Sequence, residues 1–137
     1  MKRRALIIMV MSMLLLAITV PASAATIADG LYLFADDNKY TYLGKLTSNT
    51  YDADSIYNPY GLHGSKYAAE SIFNQYSIYG SSYSVYSPFN RYTVTPPIIA
   101  HFSNGSIVST YRLTINPNVP GAISPVYLFE VLKANGI

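Results

Sequence analysis

Ser55-Ile56-Tyr57-Asn58-Pro59-Tyr60-Gly61-Leu62-His63-Gly64-Ser65 returns sixteen residues later as Ser71-Ile72-Phe73-Asn74-Gln75-Tyr76-Ser77-Ile78-Tyr79-Gly80-Ser81. It returns again as Ser87-Pro88-Phe89-Asn90-Arg91-Tyr92-Thr93-Val94-Thr95-Pro96-Pro97. Tyr51, Tyr67 and Tyr83 mark the same period upstream of each copy. Whole columns keep their character: Ser, then Ile or Pro, an aromatic, Asn, a free position, Tyr, a free position, an aliphatic. A fixed period of this kind is the signature of repeated structural units that bury apolar surface against one another.

The residue types predict the unit. Asp52, Asp54 and Ser55 carry acceptors that suit the start of a helical turn. Ala68 to Phe73 is good helix material. The Asn column at 58, 74 and 90 stops it, because Asn makes Asx turns and tolerates the left-handed conformation. Each unit is expected to be a short α or 3₁₀ turn, a kink and a brief extended piece. Its aromatics are expected mainly in the core, since an aromatic side chain buries 150–250 Å².

The flanks read as strands. Leu31 to Phe34, a turn at Asp36-Asp37-Asn38 and Tyr40 to Thr47 predict one β-hairpin. Pro97 to Phe102, a turn at Ser103-Asn104-Gly105 and Ile107 to Ile115 predict a second, with Asn-Gly as its turn signal. The ribbons look related: Lys45-Leu46-Thr47-Ser48-Asn49 matches Arg112-Leu113-Thr114-Ile115-Asn116. At the C-terminus Ser124 and Pro125 start, and Asn135-Gly136 ends, a predicted helix with Leu128, Val131 and Leu132 on one face; a strand over Tyr127 to Leu132 is the alternative reading. The expected class is mainly β with short α or 3₁₀ turns: two hairpins bracket a three-copy block, and a short helix follows. Residues 25–137 form one domain, divided into a hairpin at 25–50, repeats at 51–98, a hairpin at 97–116 and a helix at 124–135.

Residues 1–24 read as a secretory signal cleaved after Ala24, with Lys2, Arg3 and Arg4 ahead of an apolar run and Ala22-Ser23-Ala24 as the cleavage site; an uncleaved membrane anchor is the rival reading. Localisation is therefore expected to be periplasmic or extracellular. Without that segment six basic residues (9 − 3) face seven acidic ones, a formal charge of −1. No basic patch suggests nucleic acid, and no later apolar run is long enough to span a bilayer. With no Cys there is neither a disulfide nor a thiol site.

The block from Tyr51 to Ile99, with Tyr42 to Asn49 ahead of it, resembles a group of small exported bacterial proteins. They repeat Ser-Ile/Pro-aromatic-Asn-Pro-Tyr-Gly-x-Tyr-Gly-Ser and close on Pro-Pro, here Pro96-Pro97. The resemblance spans roughly residues 42 to 116 and carries no activity with it. Gln75-Tyr76-Ser77 departs from the usual Pro-Tyr-Gly.

Chemistry-bearing clusters are sparse. His63 near Ser65 suggests a nucleophile pair, but its column holds Tyr79 and Thr95, and a solvent-facing loop His is expected. His101 reads as a strand-surface residue. Asp52-x-Asp54 lacks the rest of a calcium loop and is expected to cap backbone. No metal or other cofactor is expected, and no enzymatic activity. A small hydrolase or hydrolase accessory built on Ser65, His63 and a nearby acid is the least favoured reading. The expected function is binding of a surface partner or glycan, with Tyr60, Tyr76, Tyr92 and Tyr79 as candidate ligand contacts. A self-assembling envelope module is the alternative.

Overall fold

The computed structural model describes residues 30–104 and 106–136. The predicted signal segment and the first residues of the N-terminal ribbon lie outside the described residues. Five strands, β1 Leu31–Phe34, β2 Tyr42–Leu46, β3 Ile98–Ser103, β4 Ser106–Leu113 and β5 Ala122–Ile123, form one sheet in the order β2-β1-β3-β4-β5. One helix, α1, spans Pro125–Asn135. The protein is mainly sheet with a short C-terminal helix, and no described helix is long and apolar enough to cross a membrane.

β1 pairs antiparallel with β2, β3 with β4, and β1 with β3, while β4 and β5 pair parallel. The two strand pairs share a register. Tyr32↔Lys45 and Leu33↔Gly44 are followed by a bulge and Phe34↔Tyr42. Ile98↔Arg112 and Ile99↔Tyr111 are followed by a bulge and Ala100↔Ser109. Where β1 meets β3, Leu33 pairs with its own counterpart Ile99, flanked by Tyr32↔Ala100 and Phe34↔Ile98. A local two-fold axis therefore passes between Leu33 and Ile99. The outer edges close alike. Lys45 donates its N–H to Asp54 O and accepts from Ile56 N–H, while Arg112 N–H donates to Gly121 O. Ser55 lies in a parallel bridge with Lys45, as Ala122 does with Arg112.

Alternation along β1 buries Leu31 and Leu33 and leaves Tyr32 and Phe34 half-buried. The core adds Leu43, Leu46, Ile99 and Leu113 from the sheet, Ile56 and Ile72 from the repeat block, and Leu128 and Leu132 from α1. Phe129 binds the helix to the block, with its ring 5.4 Å edge-on from Tyr57 and 5.6 Å from Phe73. Lys133 Nζ sits 5.7 Å from the Tyr57 ring centroid, a cation–π contact in the last helical turn. Ser124 occupies the N-cap position without a side-chain cap bond, Pro125 opens the helix, and Gly136 closes it at φ +64°.

The block corrects the expected unit. Between Tyr51 and Pro97 the chain forms neither α nor 3₁₀ helix; it runs as successive turns. N–H groups bond three residues back at Ser55→Asp52, Asn58→Ser55, Ser71→Ala68, Asn74→Ser71, Ser87→Ser84 and Asn90→Ser87. At most corners the side-chain oxygen also accepts the N–H two residues on, as at Asp52, Ser55, Asn58, Ser71, Asn74, Ser87 and Asn90. Side chains that capture local N–H groups compete with helical i→i−4 bonding, and here they win. Each Asn also donates Nδ2 to the carbonyl six residues back: Asn58 to Asp52, Asn74 to Ala68, Asn90 to Ser84. These asparagines are not left-handed; the described non-glycine residues at positive φ are Tyr40 and Asn104.

Candidate functional site

The turn chain decides which side chains face out. A unit is five three-residue turns, Ser/Asn-x-aromatic in their commonest form, plus one extra residue. The inward positions repeat. Ser55, Ser71 and Ser87 are buried, as are Ile56, Ile72 and Pro88 after them. Tyr57, Phe73 and Phe89 follow as half-buried rings packed on the core.

The outward positions repeat as well. Tyr60, Tyr76 and Tyr92 are 96, 86 and 83% exposed. This corrects the expectation that the aromatic columns are mainly core: of the nine column aromatics, three pack inward. Tyr51, Tyr67 and Tyr83 form a second exposed column, and Leu62, Ile78 and Val94 an exposed aliphatic one. Each exposed Tyr is the third residue of a turn, so its backbone is tied down while its ring is free. Tyr60, Tyr76 and Tyr92 donate their N–H groups to Asn58, Asn74 and Asn90 at 3.0, 3.0 and 2.9 Å. Tyr67 and Tyr83 donate to Ser65 and Ser81. A sequence scan at period sixteen finds the columns; the period-three phase within it marks the Tyr51, Tyr67 and Tyr83 column as presented in the same way.

Tyr79 departs from the array. It is 8% exposed, and its hydroxyl donates to Asp37 Oδ2 at 2.9 Å. It anchors the block to the β1–β2 loop rather than facing a ligand. Burial is the main cause that raises its pKa, the Asp37 hydrogen bond and charge add to it, and the Thr41 hydroxyl works against them. Asp37 accepts from Lys39 N–H, Thr41 N–H, the Thr41 hydroxyl and Tyr79. Burial pushes its pKa up, but these donors outweigh it and bring it down to about 2. A carboxylate with a depressed folded pKa contributes stability above its unfolded value of about 3.8 and loses it as pH falls toward 2. Tyr79→Phe is therefore expected to cost about 1 kcal/mol at pH 7. In urea melts across that window the cost should shrink as pH approaches 2; a pH-independent cost would refute the assignment.

His63 is likewise corrected. It is buried, not solvent-facing. Its ring stands 4.8 Å from that of Tyr42, and its Cβ sits so close to Gly44 that a methyl there would lie 2.7 Å away. Its column partner Tyr79 is also buried, so this position faces the β1–β2 ribbon in both copies. Burial pushes the Tyr42 hydroxyl far above its ordinary pKa, with Asp54, Tyr32 and Asp52 adding to the effect. Ser65 Oγ accepts Tyr67 N–H, and no hydrogen bond among the described residues joins Ser65 to His63. The pair therefore lacks the contact that activates a nucleophile.

His63 Nδ1 and Tyr57 OH are buried without hydrogen-bond partners, an expense that packing must offset. Burial pushes the Tyr57 hydroxyl up to about 12. His101 is half-buried on β3, opposite Val108.

Asp52 holds a turn, not a helix end: its Oδ1 accepts Asp54 N–H and its Oδ2 lies 3.7 Å from Lys45 Nζ. Arg112 makes the corresponding pair on β4 with Asp36 at 2.5 Å, and also reaches Pro96 O. Among the described residues no group of three or more His, Asp or Glu is placed to hold a metal ion. The exposed tyrosine array is therefore the candidate site. Comparison with known proteins adds nothing to it: no family model, no curated protein and no solved structure matches the chain.

Proposed function

We propose that this chain is an exported, non-enzymatic binding domain. In this reading the block is three copies of one unit, held between two related hairpins and presenting tyrosines to a ligand or partner at a cell surface. The observation that carries it is the equivalence of Tyr60, Tyr76 and Tyr92: near-full exposure, one position in the turn, one asparagine bond each. A lone exposed aromatic needs no explanation; the same ring held out at the same turn position in three copies is what supports a binding role. The signal segment supports export. The edge-to-edge assembly alternative has less support, since the outer side of β2 is already bonded to the block and that of β4 to β5 at Arg112 and Leu113.

The test is a combined Tyr60→Ala, Tyr76→Ala, Tyr92→Ala variant. Because these rings are solvated, each change is expected to shift stability by less than about 0.5 kcal/mol. Circular dichroism and the melting temperature should therefore match the parent. Retention of the purified protein on isolated cell envelopes should be lost. A folded variant that is retained as well as the parent would reject the proposal.

A further inference from the structure

The repeat block carries balanced exposed charge. Asp54 and Glu70 are its exposed acids and Lys66 and Arg91 its exposed bases, while Asp52 is tied to Lys45. With two exposed charges of each sign the block has no net charge to draw in an anionic or cationic polymer. What it offers instead is rings. Among the described residues the hydroxyls of Tyr60, Tyr76 and Tyr92 make no intramolecular hydrogen bond, and each ring is followed two residues later by an exposed Leu62, Ile78 or Val94. A phenol has an apolar face and a polar tip, which matches the two characters of a pyranose: a C–H face and a rim of hydroxyls. The backbone beneath each ring is already fixed by its corner hydrogen bonds, so little ordering cost remains at binding. Three equivalent sites at a constant sequence interval also match an occupant that itself repeats. Stacking on one ring is weak, but on a common scaffold the second and third contacts become intramolecular and reinforce the first.

We infer that the array takes a neutral polysaccharide, with sugar units along one chain stacking on Tyr60, Tyr76 and Tyr92 together; this rests on the binding role proposed above. The probe is affinity electrophoresis of the purified chain through gels containing a soluble neutral glucan, a soluble neutral mannan or an anionic polyuronate. A proline-rich peptide serves as competitor. The expected result is retardation by a neutral polymer and none by the polyuronate. Each single Tyr→Ala change should weaken binding by a similar factor, about 5–10-fold. The triple variant should migrate freely, and a monosaccharide should not compete. Two other patterns would overturn the inference: no retardation by either neutral polymer, or one Tyr→Ala change as costly as all three. So would displacement by the peptide. If envelope retention still depends on the tyrosines while no neutral polymer binds, the polysaccharide is wrong and the binding role stands. If the triple variant keeps both envelope retention and retardation, both fail.

Discussion

Gly80→Ala should unfold the protein or lower its stability by more than about 4 kcal/mol, the range reserved for severe steric or core defects. A Cβ at Gly80 would stand 2.1 Å from Asn74 O and 2.7 Å from Ile72 O. Both neighbours are backbone, so neither can swing aside, and Asn74 is further fixed by its bonds to Tyr76 N–H and Ala68 O. The glycine is not there for a left-handed conformation, since its φ is not positive. It is there because the extra residue of the unit must pass directly over the preceding turn. Gly64 occupies the same place in the copy before, 2.1 Å from Asn58 O, and Gly64→Ala should behave alike. Gly136→Ala is the control. A methyl there meets nothing within 4 Å, and its cost is the left-handed φ alone, about 1 kcal/mol. Urea unfolding of the three variants separates these cases, and a Gly80→Ala protein within 1 kcal/mol of the parent would contradict the close approach.

Ile72→Ala should cost about 3 kcal/mol, within the range of about 2–5 for emptying a buried Ile site. Ile72 is fully buried, in one cluster with Leu33, Leu43 and Leu132. Ile56→Ala should cost a similar amount, since Ile56 occupies the same column at full burial. Ile78→Ala removes the same atoms six residues further on, from a side chain 57% exposed, and should cost less than about 1 kcal/mol. The contrast between Ile72 and Ile78, read from chemical-denaturation midpoints, tests the inside–outside phase of the block. Equal losses at the two positions would show that phase to be wrong.

These two cases show how far the residues could be read before folding. The strand segments were legible because Leu31, Leu33 and their neighbours alternate over short runs bounded by Asp, Asn and Gly. The helix was legible because Pro125 and Gly136 punctuate it, and it runs from Pro125 to Asn135. The expected helical turn at Ala68 to Phe73 does not form. Its helix propensity is real, but Ser71 and Asn74 offer local acceptors every third residue and draw the backbone into turns instead. The burial of Tyr79 and His63 was not legible, since it depends on the β1–β2 ribbon reaching them from more than a dozen residues away in sequence.

By itself the sequence determined the sixteen-residue spacing, the match of Lys45 to Asn49 with Arg112 to Asn116, and the punctuation of the C-terminal segment by Pro125 and Gly136. All of these are patterns of spacing and composition along one dimension. Only the tertiary structure decided that Ile56 and Ile72 face in while Tyr60, Tyr76 and Tyr92 face out. Both columns are large, apolar and equally periodic. Which one is buried depends on the phase at which the turns meet the sheet and α1, and that phase belongs to the packed partners rather than to the repeat.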